Sequence, residues 1–432
     1  MIIESINKYV RKEIDKAFAS ISTDRLARDP KAQYKVVKDN GIKGIADQDD
    51  VFLNKGRRLR ISGHSPVIQD MIKSRLTPWQ FKLWKILGAL NAPARKPLPI
   101  FEGISSAPTK NIKFAGSTDE KNVQDVLVRE FATVANIFGI KIKRTNFTRE
   151  PYVQDAYIPF DDHKTKGISL GVFKHSATVA HFNSSRPVKI RRMANVHEGG
   201  NVVIAKNAQG RTKAIIGYKI VRYTRLFLRA SHKEAIRIIA ADFNLKPEDI
   251  IVVPQANYHV DLHIRAGKPG EVFVASRSAG IKMLEECFKK SDFGDEMEGM
   301  AELVRRVYVS ISSRRGQLQL MQLEQTARIL GVHGFKVIDY PSIFFRKEEF
   351  PQSYISINMM NNRYVTTKSG IVVNIMLGSG YRLINDYIKA KETRHFGSDI
   401  ALFIADDAAG PSYFGHIAIS KWSAGFGCYT NF

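Results

Sequence analysis

The chain has 432 residues, of which 44% are hydrophobic and 25% charged, so we expect a soluble globular protein with more than one ordinary domain. No apolar run approaches the roughly 18 residues that a membrane helix needs, and the first ten residues do not resemble a signal peptide. Cys287 and Cys428 are its two cysteines, and neither belongs to a CxxC motif. We therefore expect free thiols in a reducing compartment such as the cytoplasm, with secretion through a signal-less route as the alternative.

The net charge of +24 is concentrated in one part of the chain. Residues 51–100 carry ten basic side chains against a single acid, Asp70. Such a block attracts nucleic acid, an anionic lipid surface or an acidic protein, but it is equally compatible with a solvated face. Both interpretations stay open at this point.

The first hundred residues are predicted to form a basic, mainly helical appendage. Apolar residues recur at helical spacing over residues 2–21, and Thr77-Pro78 has the sequence of a second helix start. Pro93, Pro97 and Pro99 then form a stiff connector. We therefore divide the chain into an appendage over residues 1–100 and a second region over residues 101–432.

The second region alternates short strands with single helices. The patterns predict strands at 112–115, 140–145, 202–205, 214–221, 250–253, 305–311, 335–338, 354–358, 370–377 and 400–405. They predict helices up to Gly139, from the capping box Ser231–Glu234 to about Lys246, over 317–330 and over 380–391. Strand pairs followed by single helices indicate an α/β fold built from a repeated ββαβ unit.

Four polar clusters lie at the ends of predicted strands in this region, where a rigid scaffold displays reactive groups. In the third cluster, His259 and Asp261 are two positions apart on a predicted strand, which places both side chains on the same face. The clusters are Tyr152-Val-Gln-Asp-Ala156, His197-Glu-Gly-Gly-Asn201, Tyr258-His-Val-Asp-Leu262 and Gly427-Cys-Tyr-Thr-Asn431.

Taken together and in this order, the four clusters resemble the guanidine-modifying (pentein) superfamily, which includes agmatine and arginine deiminases, peptidylarginine deiminases and amidinotransferases. The resemblance covers roughly residues 105–432. It implies a five-fold pseudo-symmetric propeller of ββαβ units around a central site. The Gln154-Asp155 and Cys428-x-Thr-Asn motifs are most similar to those of peptidylarginine deiminases. The Glu198-Gly-Gly motif is more similar to that of the deiminases of small molecules.

The resemblance also implies a role for each site residue. Asp155 and Asp261 would accept hydrogen bonds from a guanidinium group, and Asn201 is a further candidate for substrate binding. Cys428 would attack the guanidinium carbon, because that carbon is a poor electrophile and requires a strong nucleophile. His259 would act as general acid and then general base, with Glu198 orienting it.

These residues predict a cysteine hydrolase that deiminates arginine, peptidylarginine or an agmatine-like guanidine, without metal or cofactor. An amidinotransferase is the alternative within enzymes, because an amine can resolve the same intermediate in place of water. A non-catalytic pentein-fold protein that binds nucleic acid or an acidic partner is the alternative of another class. Gly427 stands where many relatives have a histidine, which bears on the substrate more than on the reaction. Cys287 falls in a helical pattern and is predicted to be a core thiol.

Overall fold

The computed structural model describes residues 98–99, 102–104, 111–115, 141–145, 158–161, 166–170, 189–192, 199–228, 230–257, 259–290, 295–343, 359–379, 381–397, 400–405 and 430–431. The helices predicted over residues 2–21, after Thr77 and up to Gly139 lie outside these residues, as does the strand predicted at 354–358. The basic block lies outside them too, apart from Leu98 and Pro99. The division at residue 100 stays a prediction.

The described strands are short. They are β1 (Leu98–Pro99), β2 (Asn111–Ala115), β3 (Lys141–Thr145), β4 (Ile158–Asp161), β5 (Lys166–Leu170), β6 (Lys189–Arg192), β7 (Val202–Lys206), β8 (Thr212–Gly217), β9 (Ile250–Val253), β10 (Ile264–Ala266), β11 (Glu271–Ser276), β12 (Lys336–Pro341), β13 (Arg363–Thr366), β14 (Val372–Leu377), β15 (Ile400–Ala405) and β16 (Thr430–Asn431).

Six α-helices lie among the described residues. They are α1 (Tyr218–Leu228), α2 (His232–Phe243), α3 (Arg277–Lys290), α4 (Asp295–Ser312), α5 (Arg314–Val332) and α6 (Arg382–Phe396).

The described strands form five small sheets that repeat one pattern. In each sheet an antiparallel pair is followed by a parallel neighbour, as in β7–β8–β9, β10–β11–β12 and β13–β14–β15. Parallel strands require a crossover connection. Here α1 and α2 connect β8 to β9, α3 to α5 connect β11 to β12, and α6 connects β14 to β15. The predicted α/β class is therefore confirmed.

One sheet combines distant parts of the chain. The strand β16 pairs antiparallel with β2, placing Thr430 opposite Phe114 and Asn431 opposite Lys113. The strand β3 then pairs parallel with β2 on its other side. This sheet therefore has the same pattern as the others, although its first strand comes from the last residues of the sequence.

Local sequence signals explain several of the element boundaries. The β7–β8 hairpin turns at Asn207, whose Oδ1 accepts hydrogen bonds from the backbone of Gln209 and Arg211, and Gly210 has a φ of 74° that favours glycine. The capping box predicted at the start of α2 is confirmed. Ser231 Oγ accepts from the Glu234 backbone at 3.3 Å, and the Ser231 backbone donates to Glu234 Oε2 at 2.8 Å.

Two predicted strands are wrong. Residues 305–311 belong to the helix α4, because the buried positions Met300, Leu303, Val307 and Ile311 recur every three or four residues. The strand predicted over 214–221 ends at Gly217, where α1 begins. In both places a run of β-branched residues favoured a strand in the sequence analysis. The burial of one helical face in the core stabilises a helix instead.

A continuous hydrophobic core runs from β7 to α6. All four residues of β9 are fully buried, which is typical of the covered strand of a parallel pair. Cys287 lies in this core on α3, where its Sγ donates to the Leu383 carbonyl at 3.4 Å, so the prediction of a buried free thiol is confirmed. No helix among the described residues is long and apolar enough to cross a membrane.

Candidate active site

A short turn ahead of β7 forms one wall of the candidate site. Residues Gly199–Asn201 make a single 3₁₀ turn, and all three are buried. The Asn201 Oδ1 accepts a hydrogen bond of 2.5 Å from Gln255 Nε2, and this bond connects the turn to the segment after β9. Gln255 in turn lies against Gly217, where an added Cβ would meet Gln255 Oε1 at 2.5 Å. A larger residue at position 217 would therefore displace the Gln255 side chain.

The loop ahead of β10 carries two of the predicted site residues, His259 and Asp261. The prediction that they share a strand is wrong, because β10 begins at Ile264 and the backbone N–H groups of His263 and Ile264 both donate to the Val260 carbonyl. The loop is nevertheless held in place, since the Asp261 N–H donates to the Gly200 carbonyl at 3.0 Å. Both His259 and Asp261 are buried, so the loop keeps the predicted pair together and shielded from solvent.

A third segment, just ahead of β13, reaches the same carboxylate. Asn361 Nδ2 donates to Asp261 Oδ2 at 2.6 Å, and both side chains are buried. The bond restrains the direction of the Asp261 carboxylate, because both partners are buried and the donor comes from a separate segment. Sequence reasoning missed Asn361, although the polar run Asn361-Asn362-Arg363 ahead of an apolar strand was a usable signal.

A fourth segment adds a carboxyl that sequence reasoning also missed. The Glu102 N–H donates to the Ile204 carbonyl on β7 at 3.1 Å. Burial raises the pKa of the Glu102 carboxyl to about 7; the positive charge of Arg363 opposes this shift and the negative charge of Asp261 adds to it. Glu102 and Arg363 therefore lie within electrostatic reach of each other, and Glu102 also lies within electrostatic reach of Asp261.

The imidazole of His263, four positions after His259, is fully buried. Burial lowers its pKa to about 4, against the opposing effect of the Pro254 and His259 backbone carbonyls. His263 is therefore neutral at physiological pH and serves the packing of the loop. His259 remains the candidate for proton transfer.

A buried polar network lies behind the site. Arg265 on β10 donates from Nη2 to Glu392 Oε1 at 2.8 Å, and both side chains are only 4% exposed. Asn374 Nδ2 donates to the other carboxylate oxygen of Glu392 at 3.2 Å, and Asn374 Oδ1 accepts from Asn362, the neighbour of Asn361. This network connects α6 and β14 to the strand that follows the His259–Asp261 loop.

The remaining predicted site residues lie outside the part of the chain that the structure describes. They are Asp155, Glu198 and Cys428. Glu198 directly precedes the Gly199–Asn201 turn, and Cys428 lies two residues ahead of β16. Their roles stay predictions. Within the described ranges, no group of three His, Cys, Asp or Glu side chains has a geometry that holds a metal ion.

A separate cavity of about 450 Å³ lies between α3 and α6 and has the wrong charge for a cationic ligand. Four basic side chains line it against two acidic ones, and Cys287 lies beside them. This cavity therefore does not compete with the Asp261 loop as a site for a guanidinium group. The basic residues are Lys282, Lys290, Lys391 and Arg394, and the acidic ones are Glu286 and Asp386.

The comparison with solved structures decides the fold. An agmatine deiminase from C. jejuni superimposes with a TM-score of 0.50 and 11% sequence identity, covering 79% of this chain and 98% of that one. The chain has the fold of agmatine deiminase. A substrate-bound form of the same enzyme aligns with a TM-score of 0.47 and 9% identity over 72% of this chain and 91% of that one. The arginine dihydrolase ArgZ of cyanobacteria aligns with a TM-score of 0.36 and 11% identity over 74% and 38% of the two chains.

No protein-family model and no curated protein matches the chain. The resemblance inferred from the four short motifs included the agmatine deiminases, and the fold of the chain is that of an agmatine deiminase. Over the aligned length the chain shares only about one residue in nine with the agmatine deiminase, so overall sequence identity adds nothing to the four motifs.

Proposed function

We propose that the chain is a hydrolase that cleaves a C–N bond of a guanidine group and releases ammonia. The observation that carries this proposal is the buried Asp261 carboxylate, which is oriented by Asn361 and held beside Gly200 in the same loop as His259. A guanidinium is planar, permanently cationic and rich in donors, so a fixed carboxylate is its matching partner. The shared fold with agmatine deiminase supports the same class of substrate.

The proposed reaction begins with the Cys428 thiolate, which adds to the guanidinium carbon while Asp155 and Asp261 hold its nitrogens. His259 donates a proton to the departing nitrogen, so that the C–N bond breaks and ammonia leaves. A covalent thiouronium remains on Cys428. His259 then removes a proton from water, the hydroxyl adds to the same carbon, and the C–S bond breaks to return the thiolate and a urea-type product.

Glu198 would stabilise the positive charge that His259 acquires, as the third member of a triad does. Asn201 would contribute a polar contact near the substrate. In this proposal the five sheets surround the site as a five-fold propeller, and β16 brings the segment containing Cys428 towards it. The pairing of β16 with β2 supports that arrangement.

The substrate class is tested by measuring ammonia release and formation of a ureido product from agmatine, free arginine and an arginine-rich protein. Turnover of at least one of the three is expected, and it should disappear in Cys428→Ser. If neither ammonia nor a ureido product forms, and an added amine acceptor gains an amidino group while the substrate's own alkylamine is released, the enzyme is an amidinotransferase. A chain that neither turns over nor binds any of the three would show that the proposal is wrong.

A further inference from the structure

The cavity of about 450 Å³ between α3 and α6 is lined by residues that the proposed reaction does not use. Its volume lies in the range of sites that bind small molecules, which is roughly 300–1,000 Å³. The two helices are bonded to each other beside it, since the buried Cys287 on α3 lines the cavity and donates from Sγ to the Leu383 carbonyl on α6 at 3.4 Å. The cavity is therefore part of the packing of α3 against α6.

Both carboxylates that line the cavity already have cationic partners. Glu286 Oε1 lies 3.9 Å from Lys282 Nζ on the same helix. The Asp386 carboxylate lies 3.8 Å from Arg382 Nε and 3.8 Å from Lys389 Nζ, and neither of these two cations lines the cavity. The two acids therefore do not neutralise the other basic side chains of the cavity.

Three further cations, Lys290, Lys391 and Arg394, line the cavity. None of the three forms an ion pair in the part of the chain that the structure describes. Lys391 and Arg394 are three positions apart on α6 and so lie on the same side of the helix, while Lys290 is the last residue of α3. With Lys282 there are four cations against two carboxylates, which leaves the lining with a net charge of +2.

Lys391 lies within electrostatic reach of its cationic neighbours. Its side chain is half-buried, and this burial lowers its pKa; Asp339 and Glu392 oppose the shift, whereas nearby cations, among them Arg394, add to it. Glu392 is itself paired with Arg265 at 2.8 Å, and Asp339 lies outside the lining of the cavity. An anion in the cavity would therefore be attracted by cations that repel one another.

The cavity also has an apolar side, which Leu383, Tyr387 and Ala390 line. Burial raises the pKa of Tyr387 and the negative charge of Glu286 adds to this shift, so the hydroxyl stays protonated and can donate a hydrogen bond. A phosphate monoester matches both sides of the cavity. It carries a charge of roughly −1.5 to −2 near neutral pH and three acceptor oxygens, and its organic group suits the apolar side.

We propose that this cavity binds a small phosphate monoester. The phosphate contacts Lys290, Lys391 and Arg394, and the organic group lies against Leu383 and Tyr387. The planar guanidinium of Arg394 can give two parallel hydrogen bonds to a phosphate, and the two lysines supply point charges. These residues take no part in the proposed hydrolysis, so the inference goes beyond the proposed function and does not depend on it.

The experiment is a calorimetric titration of phenyl phosphate into the full chain near neutral pH and at physiological ionic strength. One molecule should bind per chain. Arg394→Gln and Lys391→Gln should each weaken binding by about tenfold, since each removes a charge-assisted hydrogen bond. Arg394→Lys keeps the charge without the planar fork and should lose less. Methyl phenyl phosphate, which carries a single negative charge, should bind the parent more weakly than phenyl phosphate does.

Two control variants separate the cavity from the other basic parts of the chain. Lys389→Gln removes a cation of the same helix that does not line the cavity, and it should bind as the parent does. Replacing Arg57, Arg58 and Arg60 of the basic block by Gln should also leave this binding unchanged. Thermal unfolding shows whether each variant is folded, and saturating phenyl phosphate should raise the unfolding temperature of the parent more than that of Arg394→Gln.

The alternative is nonspecific attraction of anions by a protein of net charge +24. A lack of saturable binding, several bound molecules per chain, or an equal loss of affinity in Lys389→Gln would each overturn the inference. Displacement of phenyl phosphate by agmatine would place the ligand at the guanidine site and overturn it as well. None of these outcomes bears on guanidine hydrolysis, which the ammonia assay tests separately.

Discussion

Asn361 donates a hydrogen bond of 2.6 Å to the carboxylate of Asp261, a residue a hundred positions earlier in the chain. The bond joins the segment ahead of β13 to the loop ahead of β10. It therefore makes the orientation of the candidate guanidinium-binding carboxylate depend on a different sheet.

Replacing Asn361 by Leu should reduce kcat/KM for a guanidine substrate by about tenfold or more. Leu has a similar size but cannot donate, so Asp261 loses the bond that orients it, and a buried carboxylate oxygen loses a donor worth about 1–3 kcal/mol. Steady-state kinetics and urea unfolding measure the two effects. The matched control is Asn362→Leu, whose amide bonds Asn374 instead of Asp261. A control variant that loses as much activity for the same loss of stability would contradict the assigned role.

The buried pair Arg265–Glu392 should be a strong determinant of stability. Replacing Arg265 by Met leaves a carboxylate that is 4% exposed without its cation, and such changes lower the free energy of unfolding by about 3–5 kcal/mol. The Arg265 guanidinium also stacks on Phe273 at 4.1 Å from the ring centroid, a contact that the Met side chain replaces only in part. Urea unfolding monitored by fluorescence provides the measurement.

Two controls accompany this prediction. The double variant Arg265→Met, Glu392→Met should recover most of the lost stability, because it removes both buried charges. The exposed pair Lys282–Glu286, at 3.9 Å with the lysine 73% exposed, should change stability by less than about 0.5 kcal/mol when Lys282 becomes Met. A single Arg265 variant as stable as the Lys282 variant would show the buried pair to be dispensable.

The two cysteines should have separable roles. Cys428→Ser should abolish turnover and leave the unfolding transition unchanged, because a hydroxyl lacks the nucleophilicity of a thiolate. Cys287→Ala should keep turnover and lower stability by about 1 kcal/mol or more, since it removes a buried side chain from the packing of α3 against α6. Ammonia assays and thermal unfolding of both variants distinguish the roles. An inactive Cys287 variant that remains folded would reverse the assignment of the nucleophile.

The stability of the protein should fall with acid because of His263, which is fully buried, and His333, which is half-buried. The pKa of His263 is lowered to about 4 by burial, and that of His333 is lowered to about 4 by burial and the nearby Lys213 charge. Since an unfolded histidine titrates near 6.5, the unfolded state binds more protons between these values, and stability is lost as the pH falls from about 6.5 to 4. For His263 alone the loss amounts to about 3 kcal/mol.

Replacing His263 by Asn should flatten this part of the pH profile of the unfolding free energy, whatever it does to the absolute stability. Glu102 acts in the opposite direction. Its raised pKa contributes stability at acidic pH that is lost as the pH rises through about 7. The profiles of the parent and the His263 variant are therefore compared with each other, and His333→Gln provides the matched second titration. Parallel profiles for parent and His263 variant would contradict the prediction.

The basic block over residues 51–100 is predicted to dock an anionic surface away from the site, because a cationic substrate is repelled by like charge. Replacing Arg57, Arg58 and Arg60 by Gln should lower activity on a macromolecular target that carries an anionic surface, and should spare a small guanidine such as agmatine. Binding through this block should weaken steeply with salt, since charges are screened over roughly 8 Å at physiological ionic strength. Equal loss on both substrates would show a structural role, and no loss on either would show a solvated face.

Short sequence patterns predicted the strands and helix starts that depend mainly on neighbouring residues. The run Ile250–Val253 is β-branched throughout and forms a buried strand, and Ser231 with Glu234 starts a helix as a capping box does. The failure at residues 305–311 has a local cause too, because Val307, Val309 and Ile311 alternate as in a strand while their neighbours set a helical face. Periodicity over a short window cannot separate these two patterns.

Among the described residues, the two predicted site residues that the fold places in one loop are close together in the sequence. His259 and Asp261 share one loop, and the fold buries both. Asn361 bonds Asp261, and Glu102 interacts with it electrostatically, from segments more than ninety residues away, and the sequence does not show which distant residue each one meets. Such contacts are products of how separate sheets pack, which is a property of the whole chain.

The pairing of β16 with β2 has a consequence for how the protein is made. Thr430 pairs with Phe114, so the β2 edge of that sheet stays unpaired until a strand synthesised 316 residues later is available. A contact of such long sequence separation forms slowly, and until it forms β2 presents an open edge on which other chains can pair. The segment that covers this edge follows directly after Cys428. Completion of this sheet therefore comes late in synthesis, and a chain that stops before residue 430 exposes the β2 edge to pairing with other chains.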